Sequence, residues 1–105
     1  MTFRVLVDAE AQADVLRLYE YLLQRAEFVE DLDIADRALQ ALEAAIASLS
    51  RAPFLYRRDA GSRSLLRREL VVPFGASGYV LKYEIASRDL VVVLAVRHQH
   101  EADYP

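Results

Sequence analysis

From Phe3 to Asp8 the chain alternates, with Phe3, Val5 and Val7 set against Arg4, Leu6 and Asp8, which predicts a short strand. The period then lengthens. Val15, Leu18, Tyr19 and Leu22 recur at helical spacing, while Asp14, Arg17, Glu20 and Gln24 fall mostly elsewhere on the wheel, and Asp8 offers an N-cap. A second helix rests on Ala35, Ala38, Leu39, Leu42, Ala45, Ile46 and Leu49, which keep the i, i+3, i+4, i+7 spacing. The acidic run Glu30-Asp31-Leu32-Asp33 suits the positive end of its dipole, and Pro53 is expected to stop it. Its many alanines allow close approach of a neighbouring element. The short join at residues 25–30 predicts an antiparallel helical hairpin.

In the second half the period shortens to that of strands. Leu65–Val72, Gly78–Ala86 and Asp89–Arg97 are strand-length runs rich in Val, Leu and Tyr. Pro73 to Gly78 separates the first two and Ser87-Arg88-Asp89 the last two, and connections this short demand antiparallel neighbours. In the middle run Tyr79, Leu81, Tyr83 and Ile85 face one way, and Val80, Lys82 and Glu84 the other. The last run is apolar on both faces, which places it inside the sheet with a neighbour on each side. The expected fold is α+β: a small antiparallel sheet with an N-terminal strand and a two-helix hairpin packed on one face, in the order β-α-α-β-β-β.

Composition narrows the class. With 105 residues, 54% of them hydrophobic, the chain is expected to form one folded domain over residues 1–105. It has no cysteine, so disulfides and thiolate chemistry are excluded, and a reducing cytoplasm is its expected home. No apolar run is long enough to span a bilayer, and MTFRVLVDAE does not resemble a secretion signal. The net charge is −3, against a general nucleic-acid coat, but it is unevenly spread. Residues 1–50 carry four Arg against ten Asp and Glu, and residues 51–105 carry nine Lys and Arg against six Asp and Glu. A local surface for an anionic partner is thus available in the second half.

Several residues together carry a resemblance. They are the first helix with Ala13, Leu16 and Tyr19-Glu20-Tyr21, the second ending in Leu49-Ser50-Arg51-Ala52-Pro53, the basic strand Leu66-Arg67-Arg68-Glu69-Leu70, then GYVLKYEI and VVVLAVRHQHEADY. In this order they resemble the ParE/RelE superfamily of toxins from type II toxin–antitoxin systems, over essentially the whole chain. The resemblance implies growth arrest, plasmid stabilisation and a cognate antitoxin, a small DNA-binding protein encoded next to the toxin. RelE-like members cut messenger RNA on the ribosome with basic residues on the sheet and an Arg and Tyr near the C-terminus; ParE-like members lack that set and are associated with blocking DNA gyrase. Here Val80 stands where a RelE-like protein tends to carry arginine, Glu69 sits among the bases, and Gln99 and His100 replace a basic cluster. Phosphoryl chemistry needs cations to stabilise developing charge. The departures therefore imply the ParE-like branch: a gyrase-binding inhibitor rather than an enzyme, without cofactor, membrane association or sequence-specific DNA binding of its own.

No residue is singled out as catalytic. The candidate target contacts are Arg67, Arg68, Lys82, Arg97, His98 and Tyr104. Arg67 and Arg68 alternate faces, so they do not enter one site together, and pairing with Glu69 or Glu84 is the plainer use of one of them. Lys82 is equally suited to a cross-strand salt bridge. His98 and His100 lie about 6.6 Å apart along one face of an extended segment. With Glu101 or Asp103 they form a metal pattern of low specificity, and a hydrogen-bonded strand-end His98 is preferred. An imidazole also exchanges protons near neutrality, yet no nucleophile with an orienting group accompanies it. The segment from Arg57 to Arg63 lacks the spacing of a phosphate loop and is expected to be a mobile basic loop. Tyr19, Tyr21, Phe54, Tyr56 and Phe74 are assigned to the core or its shell.

Overall fold

The structure is a computed structural model that describes residues 2–99. Its elements are β1 (Arg4–Val7), α1 (Ala9–Gln24), α2 (Val29–Ser48), β2 (Arg57–Arg58), β3 (Arg67–Phe74), β4 (Ser77–Ser87) and β5 (Leu90–His98). The expected α+β order of one strand, two helices and three long strands holds, with β2 as a two-residue addition. The five strands lie in the order β1-β5-β4-β3-β2. β5 is therefore internal, as its two-sided apolar sequence requires. β1 joins it in parallel, so the sheet is mixed, whereas all the other pairings are antiparallel.

Local sequence explains both helices. The Asp8 carboxylate accepts from the Ala9 N–H at 2.8 Å, and the Asp8 carbonyl accepts the first helical bond from Gln12. At the start of α2 the Asp31 carboxylate accepts from the N–H groups of Glu27 and Phe28 at 2.9 and 3.1 Å, closing the four-residue turn between the helices. A hydrogen bond of 2.8 Å from the Tyr19 hydroxyl to Asp36 ties the two helices together. α2 ends at Ser48 rather than at Pro53. Tight bonds from Leu49, Ser50 and Arg51 to the carbonyls of Ile46, Ala47 and Ser48 turn the chain earlier, burying Leu49 completely.

A tight turn and a bulge shape the sheet, besides a second register shift where Ser87 rather than Ala86 pairs with Leu90. Pro73 and Phe74 belong to β3, paired with Gly78 and Ser77, which leaves a connection of only Gly75-Ala76 where a longer one was expected. Gly75 has φ 61°, and no other described residue has positive φ, the pattern of a type II′ turn. In β5, Ala95 pairs with Lys82 but Val93 with Tyr83, leaving Leu94 as a bulge. Val91, Val93 and Val96 consequently all point inward across a break in the two-residue period, and each is completely buried. They join Tyr79, Leu81, Tyr83 and Ile85 of β4, Ala11 and Leu18 of α1, and Ala38 and Leu42 of α2 in one core. Each large apolar side chain buried there contributes roughly 1.5–3 kcal/mol. No helix among the described residues is long and apolar enough to cross a membrane.

Candidate functional site

The face of β3 and β4 turned away from the core carries alternating charge, and its partners are close. Arg67 lies 3.6 Å from Glu84, and Arg57 donates to Glu69 at 2.8 Å. Lys82 lies 3.5 Å from Asp59, in the segment after β2. Asp59 is buried, at 7% exposure, and holds its own turn by accepting from the Gly61 N–H at 2.9 Å. The segment expected to be mobile is thus tethered: Lys82 pairs with Asp59, whose N–H also reaches the Arg67 carbonyl at 2.9 Å.

Arg68 points to the other side, as the alternation requires. Its guanidinium donates to the carbonyls of Leu65, Phe54 and Tyr56 at 3.1, 3.1 and 2.9 Å and lies over the Phe54 ring at 5.5 Å. This side chain is a staple between the chain entering β3 and the chain leaving α2. Beneath it the Tyr83 hydroxyl donates to the Pro53 carbonyl, and burial pushes the Tyr83 phenol up to about 12.

Arg97 and His98 end the last strand and part company. Arg97 donates to Asp14 of α1 at 2.6 Å, and the same carboxylate oxygen accepts the Val96 N–H at 2.9 Å. His98 sits across from Tyr79, edge to face at 5.7 Å, with its Nε2 3.1 Å from the Ser77 hydroxyl. It is the hydrogen-bonded strand-end histidine the sequence suggested, and it also lines a cleft of about 380 Å³ with Arg17, Leu18, Tyr21, Phe74 and Tyr79. The phenol of Tyr79 is raised by burial. Tyr104, His100, Glu101 and Asp103 lie outside the described residues.

The six candidates are therefore not one cluster. Arg67 and Lys82 share the outer face of the sheet, Arg68 braces the β2–β3 end, and Arg97 and His98 hold the far end of β5. Sequence reasoning did not single out Asp14, Ser77 or Arg17. Asp14 read as one more polar position on α1, since nothing local marks a carboxylate that will meet a strand end.

A mixed sheet with a helical hairpin on one face and a cleft at the strand ends defines a class, and the comparisons fit it. The model of the ParE toxin of type II toxin–antitoxin systems matches residues 5–103, and the chain belongs to this family of the ParE/RelE superfamily. Toxin RelE1 of Caulobacter vibrioides is 40% identical over 85 residues, 81% of this chain and 82% of the relative. Toxin RelE3 of the same organism is 37% identical over 91 residues, covering 87% and 88%. A chromosomal ParDE system from P. aeruginosa contains a chain of the same fold, with a TM-score of 0.69 at 12% identity over 92% of this chain and 96% of that one. An arginine-to-alanine mutant of E. coli toxin RelE in the free state superposes with a TM-score of 0.56 at 14% identity, over 98% and 90%. The chain is thus the toxin of a type II pair, and the family implies a cognate antitoxin.

Proposed function

We propose that the whole chain acts as one toxin domain in the cytoplasm, arresting growth by binding DNA gyrase until its antitoxin neutralises it. One observation carries this reading: the candidate cations are already engaged. Arg67 faces Glu84, Lys82 faces Asp59, Arg97 faces Asp14, and Arg68 is held by three carbonyls. A ribonuclease needs cations that meet a phosphate as its charge grows, and neighbouring carboxylates oppose that. A gyrase inhibitor works by occupying a surface and needs no such set.

The names of the two Caulobacter relatives favour a second reading, a ribosome-dependent endoribonuclease. Arg67, Arg68, Lys82, Arg97, His98 and Tyr104 would then contact the message. Induced expression without the neighbouring antitoxin gene separates the two. Relaxed plasmid with intact messages is expected. Growth arrest with normal supercoiling and cleaved messages overturns the gyrase reading, and unimpaired growth makes the chain a non-toxic binder of its antitoxin.

A further inference from the structure

The strongest unassigned surface lies at the β2–β3 end. Arg68 gathers the carbonyls of Phe54, Tyr56 and Leu65 around one guanidinium, so two segments distant in sequence meet there. The same end displays Phe54, Leu55, Leu65 and Leu66 at 54%, 71%, 60% and 43% exposure. A folded chain gains nothing by leaving four large apolar side chains together in water, and such patches rimmed by charge mark interaction sites.

The rim is of one sign. Residues 51–68 hold six arginines and a single acid, Asp59, which is buried against Lys82. Arg51, Arg58 and Arg63 are exposed and make no ion pair or side-chain hydrogen bond among the described residues. Arg58 and Arg63 also line an open hollow of about 480 Å³ with Leu65, the hydroxyl-bearing Ser62 and Ser64, and Asp59, whose carboxylate is engaged by Lys82. A nucleic acid would use the cations and leave the leucines wet; a wholly apolar partner would strand the cations. The complement is a peptide carrying both carboxylates and large apolar side chains.

The geometry points to this end as a docking surface for an acidic, apolar segment of the antitoxin, with Leu55 and Leu65 as anchors and Arg58 and Arg63 as the charge match. It rests on the family's implied partner and is independent of whether gyrase is the target.

The test measures the Kd of the purified toxin for the antitoxin encoded beside it. The double substitution Leu55→Glu/Leu65→Glu is expected to raise Kd about tenfold or more, and Arg58→Glu/Arg63→Glu to do the same with a weaker salt dependence. Val29→Glu, at the 78%-exposed tip of the helical hairpin, should leave it unchanged. All four changed side chains in the doubles are exposed, and thermal melts verify folding. Hydrogen exchange on the unmodified complex adds a readout free of substitutions: protection of the amides of residues 54–66 is expected. Tight binding that neither double weakens, with residues 54–66 unprotected, overturns the docking site and leaves the toxin reading standing. If the neighbouring product does not bind at all, the partner reading itself fails and the docking site with it. A self-associating toxin whose dimer is lost in Leu55→Glu/Leu65→Glu, with antitoxin affinity unchanged, reassigns the patch to a second copy. Loss of RNA binding on arginine reversal alone, with antitoxin affinity unchanged, reassigns it to phosphate.

Discussion

Asp14 does for the end of β5 what a neighbouring strand does for its beginning. β1 pairs with β5 only as far as Val7 opposite Val93, and the Asp8 N–H takes the Val93 carbonyl. Beyond that point no strand among the described residues pairs with this edge of β5. Asp14, one helical turn and a half into α1, accepts the Val96 N–H and the Arg97 guanidinium with a single carboxylate oxygen. The carboxylate is almost wholly covered, so its deletion takes the acceptor from the buried Val96 N–H and one carboxylate from the partly buried Arg97. Asp14→Ala should lower unfolding free energy by about 2–4 kcal/mol. Arg97→Ala should cost less, because Asp14 keeps the Val96 N–H. Urea midpoints of the two variants check the order; an Asp14→Ala midpoint matching the parent removes this role.

Arg68 is expected to behave as a structural residue even in an assay of toxicity. Its three carbonyl bonds need a planar fork, which a lysine ammonium does not reproduce. Arg68→Lys should therefore destabilise the fold by about 1–3 kcal/mol and open residues 54–66 to proteolysis. Arg67→Ala loses an ion pair whose side chains are each 37% exposed and should change stability by less than about 1 kcal/mol, whereas Lys82→Ala takes the ammonium from the buried Asp59 carboxylate and should cost more than Arg67→Ala. Limited proteolysis alongside unfolding curves distinguishes the two groups. If Arg68→Lys resists protease as the parent does, the guanidinium is not the staple.

How far the sequence is legible follows from the range of the forces involved. The two helices and three long strands are written in local periodicity, and the internal position of β5 in its unbroken run of apolar residues. The turn at Gly75-Ala76 was misplaced because Pro73 reads as a breaker, whereas β2 leaves most of the outer edge of β3 without a strand, and a proline there costs no ladder bond. The bulge at Leu94 and the parallel seat of β1 depend on tertiary packing and have no local signature. At the candidate site the basic residues were visible as residues but not as partners. Arg68 and its neighbour Arg67 look alike in the chain, and only the strand's alternation sends one to Glu84 and the other to three carbonyls.

Tyr83 supplies a pH test of the core. Its phenol is completely buried, and burial raises it from the ordinary 10.0 to about 12. The folded state disfavours the tyrosinate, so the raised group contributes fully below its unfolded value near 10. That contribution is lost as pH climbs from about 10 towards about 12. Tyrosinate absorbance should show the Tyr83 phenol titrating last, after the exposed phenols and after Tyr79, which burial also raises, and this last step should vanish in Tyr83→Phe. The variant also leaves the Pro53 carbonyl without its donor, for a loss of about 1–2 kcal/mol at neutral pH. A last step near pH 12 that survives in Tyr83→Phe would assign it to another tyrosine.

The two glycines of the β3–β4 hairpin fail for different reasons, and the difference is measurable. A methyl group at Gly75 would meet only open space, but φ there is 61°, so Gly75→Ala meets only the left-handed penalty of about 1–2 kcal/mol, and Gly75→Asn should recover part of it. Gly78 has ordinary φ, yet a methyl there would strike the Val72 carbonyl oxygen, with Pro73 Cα at 3.1 Å. Both obstacles are backbone atoms of the partner strand. Gly78→Ala therefore pushes β3 away from β4, at the mouth of the cleft that holds His98, and no residue choice at position 78 relieves it. It should cost about 2–3 kcal/mol and disturb the hydrogen bond between Ser77 and His98. Thermal melts with imidazole NMR on the three variants test both halves. Equal losses for Gly75→Ala and Gly78→Ala, with an unmoved His98 signal, would refute the steric account.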